Sequence, residues 1–393
     1  MDLSVEIAGV KLRSPIISSS SVDGMDGERI GIVSEYNLGA ATTKTIVKNM
    51  QLDVLPNMKM VRGASMINCV FGANLTAEQW FDEEFPKARA AGIPIIANMA
   101  GTTPEEAVEL AQGCEAAGAS FIEYPTACPH MGNILEAMYP GLKMPLPEVN
   151  DPRDYARQIE AVKKAVRIPV IAKFSAIFHL NCKAWARAAV DAGADAISAA
   201  DSIGPVMGIN IEDGQPLLGG PKGYGGLTGA ALKPLVLRMV LEITEEVDVP
   251  VIGIGGISSG AEAAEYIMAG ATAVGLSTSS VLSGYELYGD VYDELVAFMK
   301  RKGYNSLADF RGLTHQRIRE RLEKKQQILY EILVPQRNKN KCTACGNCVA
   351  ACAYGAIEMG ESKPEFIKDK CHGCGLCASV CSTRAIDHNY YSV

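Results

Sequence analysis

Cys342-Thr-Ala-Cys345-Gly-Asn-Cys348-Val-Ala-Ala-Cys352 is answered further along by Cys371-His-Gly-Cys374-Gly-Leu-Cys377-Ala-Ser-Val-Cys381. Each run is C-x2-C-x2-C-x3-C. In that spacing three thiolates from one tight loop reach one iron–sulfur cubane, and the fourth cysteine ligates the cubane of the other run. The spacing assigns one [4Fe-4S] cluster to Cys342, Cys345, Cys348 and Cys381, and a second to Cys371, Cys374, Cys377 and Cys352. Gly346, Gly373 and Gly375 let the backbone turn tightly and stay close enough to hydrogen-bond the cluster sulfurs. Zinc knuckles would want two separated ligand pairs, and a disulfide framework belongs to a short secreted chain. The proline that commonly follows each fourth cysteine is Ala353 and Ser382 here. It is not a ligand, so an altered local turn is expected rather than a missing cluster.

The rest of the chain is large enough for a separate core. It has 393 residues, 48% of them hydrophobic, and a net charge of -8. The charge offers no basic stripe for nucleic acid. There is no apolar run of transmembrane length, and the start Met-Asp-Leu-Ser-Val-Glu lacks the pattern of a signal peptide. A cytoplasmic setting is expected. Of the 12 cysteines, Cys69, Cys114, Cys128 and Cys182 remain as thiols once the cluster runs are set aside.

Residues 3–12 alternate apolar and polar around Ala8-Gly9, a small hairpin. Short apolar runs then recur at Pro15–Ser19, Ala40–Lys44, Pro94–Asn98, Phe121–Tyr124, Pro169–Phe174, Ala196–Ala200, Pro250–Gly253 and Ala273–Ser277. Helical spacing fills several of the intervals: Thr103–Ala117, Pro152–Val166, Ala184–Ala192 and Gly260–Ala269. The triplets Ala117-Gly118-Ala119, Ala192-Gly193-Ala194 and Ala269-Gly270-Ala271 repeat one helix-to-strand corner, where glycine supplies a left-handed cap. Eight such units predict an α/β fold, a (β/α)8 TIM barrel, with active residues just after the strands. Longer helices follow from Gly284, and Arg317–Gln327 reads as a solvated connector. The expected organisation is a barrel over 1–316, a helical connector over 317–337, and a small α+β two-cluster domain over 338–393.

Gly255-Gly256 ends the seventh strand and Ser277-Thr278-Ser279 the eighth, the loops that commonly hold phosphate in such barrels. The same glycine pair would also serve a simple tight turn. No G-x-G-x-x-G precedes a helix, so NAD(P)H is not expected on this chain. Lys44 and Lys173 stand at strand ends, where a cation is costly unless an anion meets it. A reduced flavin ring would be such an anion, and flavin couples one-electron cluster chemistry to hydride transfer. A surface lysine or a Schiff-base lysine are the alternatives.

Cys128, in Ile122-Glu-Tyr-Pro-Thr-Ala-Cys128-Pro129-His130-Met131, follows the fourth strand and opens a long loop. A lone cysteine is usually a small core residue. A thiol near its ordinary pKa of about 8.5 can instead exchange a proton with a substrate carbon. Together with Ala-Lys173-Phe, Tyr224-Gly-Gly-Leu-Thr228-Gly229-Ala-Ala-Leu-Lys-Pro, Gly253-Ile-Gly-Gly256-Ile and the two cysteine runs, this stretch resembles the dihydroorotate dehydrogenase family. Within it the resemblance is to the branch of the dihydropyrimidine dehydrogenases, which carry a bacterial-type ferredoxin domain. It covers almost the whole chain. It implies FMN held by Ser18, Ser19, Ser20, Lys44, Asn98, Lys173, Thr228, Gly229, Gly255, Gly256, Ser277 and Thr278. It implies Cys128 as catalytic acid/base beside Lys173 and Lys44, and a substrate pocket of Asn74, Thr103, His130, Asp201 and Ser202. His130 would tune Cys128 or simply cap its loop.

The departures bear on substrate. The family's Asn-Leu-Ser-Cys-Pro is Pro125-Thr126-Ala127-Cys128-Pro129, its Asn-Thr after the sixth strand is Asp201-Ser202, and the asparagine after the third strand is matched by Thr103. Each amide lost against a cyclic ureide costs about 1–3 kcal/mol, so Asp201 and Ser202 would instead favour hydroxyl or cationic donors. The expected activity is reduction or formation of a C=C bond conjugated to a carbonyl, in the manner of dihydropyrimidine dehydrogenase. The alternatives are an electron-transfer subunit and dihydroorotate oxidation. An external electron carrier, either an NAD(P)H-oxidising flavoprotein or a ferredoxin, is implied as partner, and a homo- or hetero-oligomer is expected.

Overall fold

The eight apolar runs form one closed parallel barrel in the computed structural model, which describes residues 1–49, 54–70, 72–101, 103–126, 151–323 and 334–387. The strands are β1 (Ile16–Ser18), β2 (Ala40–Thr42), β3 (Ile95–Asn98), β4 (Phe121–Pro125), β5 (Val170–Ser175), β6 (Ala196–Asp201), β7 (Val251–Ile254) and β8 (Ala273–Leu276). Their order around the barrel is β6-β7-β8-β1-β2-β3-β4-β5, and the parallel pairing of β5 with β6 closes it. Helices cover the outer face and side chains fill the inner one. The strands are therefore buried almost throughout, which is why they read as continuous apolar runs.

The covering helices start and stop where local chemistry dictates. Thr103 caps Pro104–Ala117 by accepting from Glu106 N, and Ser259 caps Gly260–Met268 by accepting from Glu262 N. At the other ends Gly118, Gly193 and Gly270 have φ of 96°, 97° and 111°, the left-handed corners predicted from the Ala-Gly-Ala triplets. A Cβ on Gly270 would also lie 2.4 Å from Thr244 Oγ1, so this corner admits no side chain. The N-terminal hairpin pairs Val5–Ile7 with Val10–Leu12 around Ala8 and Gly9.

Two long insertions meet at the end of the barrel where the strands finish. Met58–Val61 and Ser65–Asn68, after β2, join Ile203–Val206 and Gly225–Gly229, after β6, in a four-stranded antiparallel sheet. The pairing of Ser65–Asn68 with Gly225–Gly229 carries Thr228 and Gly229 to the barrel mouth.

The chain divides into two compact units, Met1–Arg317 and Ile318–Val393. Helix Leu313–Glu323 has no buried residues, as expected for a solvated segment. Of the connector expected over 317–337, residues 324–333 lie outside the described residues. Gln336–Arg337 is a strand of the second unit, paired antiparallel with Ile386–Asp387. Two residues are too short a run for any sequence periodicity to expose. Among the described residues no helix is long and apolar enough to cross a membrane.

Candidate active site and cluster unit

At the carboxyl ends of the strands lies a cavity with about 460 Å³ of open space. Ser19 and Ser20 reach it from the loop after β1, Lys173 from β5, and Asp201 and Ser202 from the end of β6. Thr228 and Gly229 come from the inserted sheet, Gly255 and Gly256 from the loop after β7, and Ser277 and Thr278 from the loop after β8. The cavity wall requires glycine. Gly229 (φ 86°) and Gly256 (φ 66°) are left-handed, and a Cβ on them would lie 2.6 Å from Ala64 O and 2.7 Å from Gly229 O. A Cβ on Gly275 would lie 2.3 Å from Ser19 Oγ. That hydroxyl is itself buried without a hydrogen-bond partner, which is costly unless a polar ligand meets it. A backbone cradle beside an unsatisfied hydroxyl fits a phosphorylated ligand such as FMN.

Beneath the cavity Lys173 and Asn98 meet Glu123, a buried acid not singled out from the sequence. Glu123, on β4, accepts from Asn98 Nδ2 and from Ser198 Oγ, both at 2.7 Å. Lys173 Nζ stands 3.3 Å from Glu123 and 3.7 Å from Asp201. Burial works against the charge of Lys173, but the Asp201 and Glu123 carboxylates outweigh it and raise its pKa above the ordinary lysine value. Lys173 is therefore a fixed cation at the cavity floor. The available signal was a glutamate inside the apolar strand Phe121-Ile-Glu-Tyr, since a buried carboxylate needs partners.

Glu123→Gln keeps the shape and removes the charge. It is expected to cost about 1.5–3 kcal/mol, the scale of hydrogen bonds to a charged group. Folding raises the Lys173 pKa, so the pair's contribution is complete at neutral pH. It is lost only as pH climbs past the unfolded lysine value through the folded one. Urea unfolding checks this: the midpoint difference from wild type should be large at neutral pH and shrink in strong alkali.

Several expected site residues have other duties. Ser18 Oγ accepts from Thr42 N at 3.4 Å, so it ties β1 to β2 instead of lining the cavity. Lys44 is buried with Nζ 3.4 Å from Val70 O, outside that lining. Asn98 lies below, bonded to Glu123, with its own Oδ1 buried and unsatisfied. Thr103 is exposed and its hydroxyl caps a helix, which its place before Pro104-Glu105-Glu106 already signals. Asn74 is exposed and borders a separate surface depression with Asp26, Arg29 and Lys87. Among the described residues neither Thr103 nor Asn74 lines this cavity. Asp201 lines the cavity, but its Oδ1 accepts from Ser202 N at 2.7 Å while Lys173 faces its Oδ2. Its charge is partly neutralised, which weakens the expectation of a cationic substrate. Cys128 and His130 lie outside the described residues.

The second unit repeats one design twice. Each C-x2-C turn has a left-handed residue before its second cysteine, Ala344 or Gly373, and another after it, Gly346 or Gly375. Short helices Asn347–Ala351 and Leu376–Ser379 follow, and Cys348 and Cys377 enter a small core with Ile357 and Ile386. Cys352 Sγ accepts from Ala356 N and Cys381 Sγ from Ala385 N, both at 3.2 Å. Gly355 and Arg384 are both left-handed, and their N–H groups donate to Cys352 O and Cys381 O in the turns after each fourth cysteine. A pocket lined by Cys352, Cys371, Cys374 and Cys377 brings the last cysteine of the first run to the first three of the second. Among the described residues no three His, Cys, Asp or Glu converge as for a single ion. A cubane puts each thiolate on a different iron, so its ligands stand apart and fit this arrangement.

A (β/α)8 barrel with a glycine-walled cavity at the strand ends is followed by a ferredoxin-like unit carrying two four-cysteine runs. Residues 2–299 match the family model described as "Dihydroorotate dehydrogenase", and residues 341–385 match "4Fe-4S dicluster domain". The chain belongs to the dihydroorotate dehydrogenase family. Relatives named "Dihydroorotate dehydrogenase B (NAD(+)), catalytic subunit" are 30% identical in Endomicrobium trichonymphae, over 79% of this chain and 96% of the relative. Those of the same name are 34% identical in Caldicellulosiruptor saccharolyticus (79% and 99%) and 35% in Geobacter metallireducens (72% and 88%). These names carry dihydroorotate and not dihydropyrimidine. They favour the reading that the sequence alone ranked lower.

Proposed function

We propose that this chain is an FMN- and iron–sulfur-dependent oxidoreductase of the CH–CH group, with dihydroorotate-type oxidation as its reaction. The observation that carries the flavin assignment is the glycine-walled cavity with Lys173 at its floor and the unsatisfied Ser19 hydroxyl in its wall. The names of the relatives support dihydroorotate as substrate. FMN, when bound, takes the hydride and gives up its electrons singly, as the clusters require.

The protein's own residues supply the remainder. Cys128 removes the proton from the carbon beside the carbonyl as hydride leaves the neighbouring carbon, and returns it in the reverse direction. Lys173, held cationic by Glu123 and Asp201, offsets negative charge in the ligand above it. Gly229, Gly255 and Gly256 with Ser277 and Thr278 hold the phosphate. Cys342, Cys345, Cys348 and Cys381 hold one cluster and Cys352, Cys371, Cys374 and Cys377 the other. A separate electron carrier completes the cycle, in keeping with the words "catalytic subunit" in the names of the relatives.

A second reading, oxidation or reduction of a neutral dihydropyrimidine, is favoured by the cluster unit on the same chain. Anaerobic mixing of the oxidised protein with dihydroorotate, and separately with dihydrouracil, tests both. Dihydroorotate is expected to bleach the flavin absorbance at a catalytic rate. Bleaching by dihydrouracil alone would replace the first reading with the second, and bleaching by neither would reject both.

A further inference from the structure

The loops after β1 and β8 both furnish cavity wall, Ser19 and Ser20 from one and Ser277 to Ser279 from the other. Just behind the wall a buried acid joins them. Asp23 lies in the turn Val22–Gly24 and is only 1% exposed. Its Oδ2 is 2.5 Å from Ser280 Oγ and 2.7 Å from Tyr288 OH, and its Oδ1 has no hydrogen-bond partner. Ser280 Oγ is also 2.6 Å from Ser277 O, and a longer 3.2 Å from Tyr288 OH. The groups around Asp23 are Ser21, whose hydroxyl accepts the Asp23 N–H, Tyr285, and Arg29, a half-exposed side chain already paired with Asp26. Among the described residues no cation forms an ion pair with Asp23.

Counting protons fixes the state of this network. The three short contacts, Asp23 to Ser280, Ser280 to Ser277 O and Tyr288 to Asp23, need three protons, and the two hydroxyls bring two. An ionised Asp23 would leave one short contact between two acceptors. A carboxylic acid protonated on Oδ2 donates to Ser280, Ser280 donates to Ser277 O, and Tyr288 donates to Oδ2, so each contact has one proton. The bare, buried Oδ1 is also tolerable in an acid and costly in a carboxylate. Burial raises the Asp23 pKa above its ordinary value, outweighing the lowering by hydrogen bonds from Ser280, Tyr288 and Ser21 and by the Arg29 charge.

We propose that Asp23 is kept as a neutral acid and acts as a positioning residue, locking the loop of Ser277–Ser279 to the loop of Ser19–Ser20 so that the anion cradle stays assembled. The link to FMN rests on reading the cavity as the cofactor's phosphate site. The sign of the pH effect follows. Below its raised pKa Asp23 keeps its proton and the cradle is intact. As pH rises through that value the network loses a donor and gains a negative charge behind the phosphate, so FMN is released more readily, by at most about tenfold per pH unit for one proton.

Two measurements on the full-length holoprotein test this. The first follows FMN release on dilution, by the fluorescence of free flavin, from acid to alkaline pH. Wild type should release FMN increasingly as pH rises. Asp23→Asn, a neutral amide whose Nδ2 donates to Ser280 and to a Tyr288 hydroxyl that turns to donate to Ser280, should hold FMN within about threefold of the wild-type acid limit and show a flat profile. Asp23→Ala should release it at least about tenfold more readily at every pH. The second is an infrared search for the carbonyl stretch of a protonated carboxyl at neutral pH, expected in wild type and missing in Asp23→Asn. If Asp23→Asn releases FMN as readily as Asp23→Ala, or if that band is absent from wild type, the proposal falls. A wild-type protein that binds no FMN would overturn the cofactor reading, while the infrared band would still decide the state of Asp23.

Discussion

Cys352→Ala is expected to empty the cluster held by the second cysteine run while leaving the cluster of its own run in place, halving the iron bound per chain. The expectation rests on geometry. Cys352 shares a pocket with Cys371, Cys374 and Cys377, and its sulfur accepts the Ala356 N–H, the kind of backbone hydrogen bond that cluster sulfurs receive. Double variants make the pairing testable without knowing which spectroscopic signal belongs to which cluster. Cys352→Ala combined with Cys374→Ala should lose no more iron than either alone, because both strike one cubane. Cys352→Ala combined with Cys345→Ala should lose nearly all of it. Had each run held its own four ligands, the two double variants would trade outcomes. Iron analysis of anaerobically prepared protein therefore separates crossed from uncrossed ligation.

Much of the barrel could be read in the chain because its physics is local. Apolar runs such as Val170–Ser175 and Ala196–Asp201 are buried on both faces, and the helices between them are bounded by residues whose side chains or dihedral freedom end helices, such as Thr103, Ser259, Gly118 and Gly270. The inserted sheet was not legible. Its central strands, Ser65–Asn68 and Gly225–Gly229, pair across a long stretch of chain, and Gly225-Gly226-Leu-Thr-Gly229 carries no strand periodicity at all. That sheet delivers Thr228 and Gly229, so resemblance alone, and no local pattern, could name this part of the cavity wall.

For Thr103, resemblance and local chemistry point to different duties. Thr103, matched to a pocket asparagine, sits in Thr-Pro-Glu-Glu, a helix start by its own composition. Glu123 is the opposite case, a residue with a clear local signal that no motif drew attention to. A lone acid among Phe121, Ile122 and Tyr124 is hard to bury without a cation, and Lys173 stands one strand away.

Cys128→Ala should lower turnover by a factor of about 100 to 10,000, the usual range for removing a positioned acid/base, while FMN and both clusters stay bound. The proposed reaction breaks two C–H bonds. Hydride leaves one carbon and a proton leaves its neighbour, so deleting the proton acceptor penalises one of two coupled departures and leaves ligand binding largely unchanged. Lys173, at the cavity floor, is a poor substitute. Lys173 is kept protonated by Glu123 and Asp201, and a cationic ammonium cannot accept a proton. The pH profile gives the sign. Desaturation needs the thiolate, so its rate should rise by up to about tenfold per pH unit below the thiol's pKa and then level off. The reverse reaction needs the thiol and should fall over the same range. Cys128→Ser, with a far weaker acid in place, should move the rise to more alkaline pH rather than abolish it. Steady-state rates of the two variants across pH, with iron and flavin counted in each preparation, separate loss of the acid/base from loss of cofactor. A Cys128→Ala protein that turns over at the wild-type rate with its cofactors intact would show that some other group carries the proton.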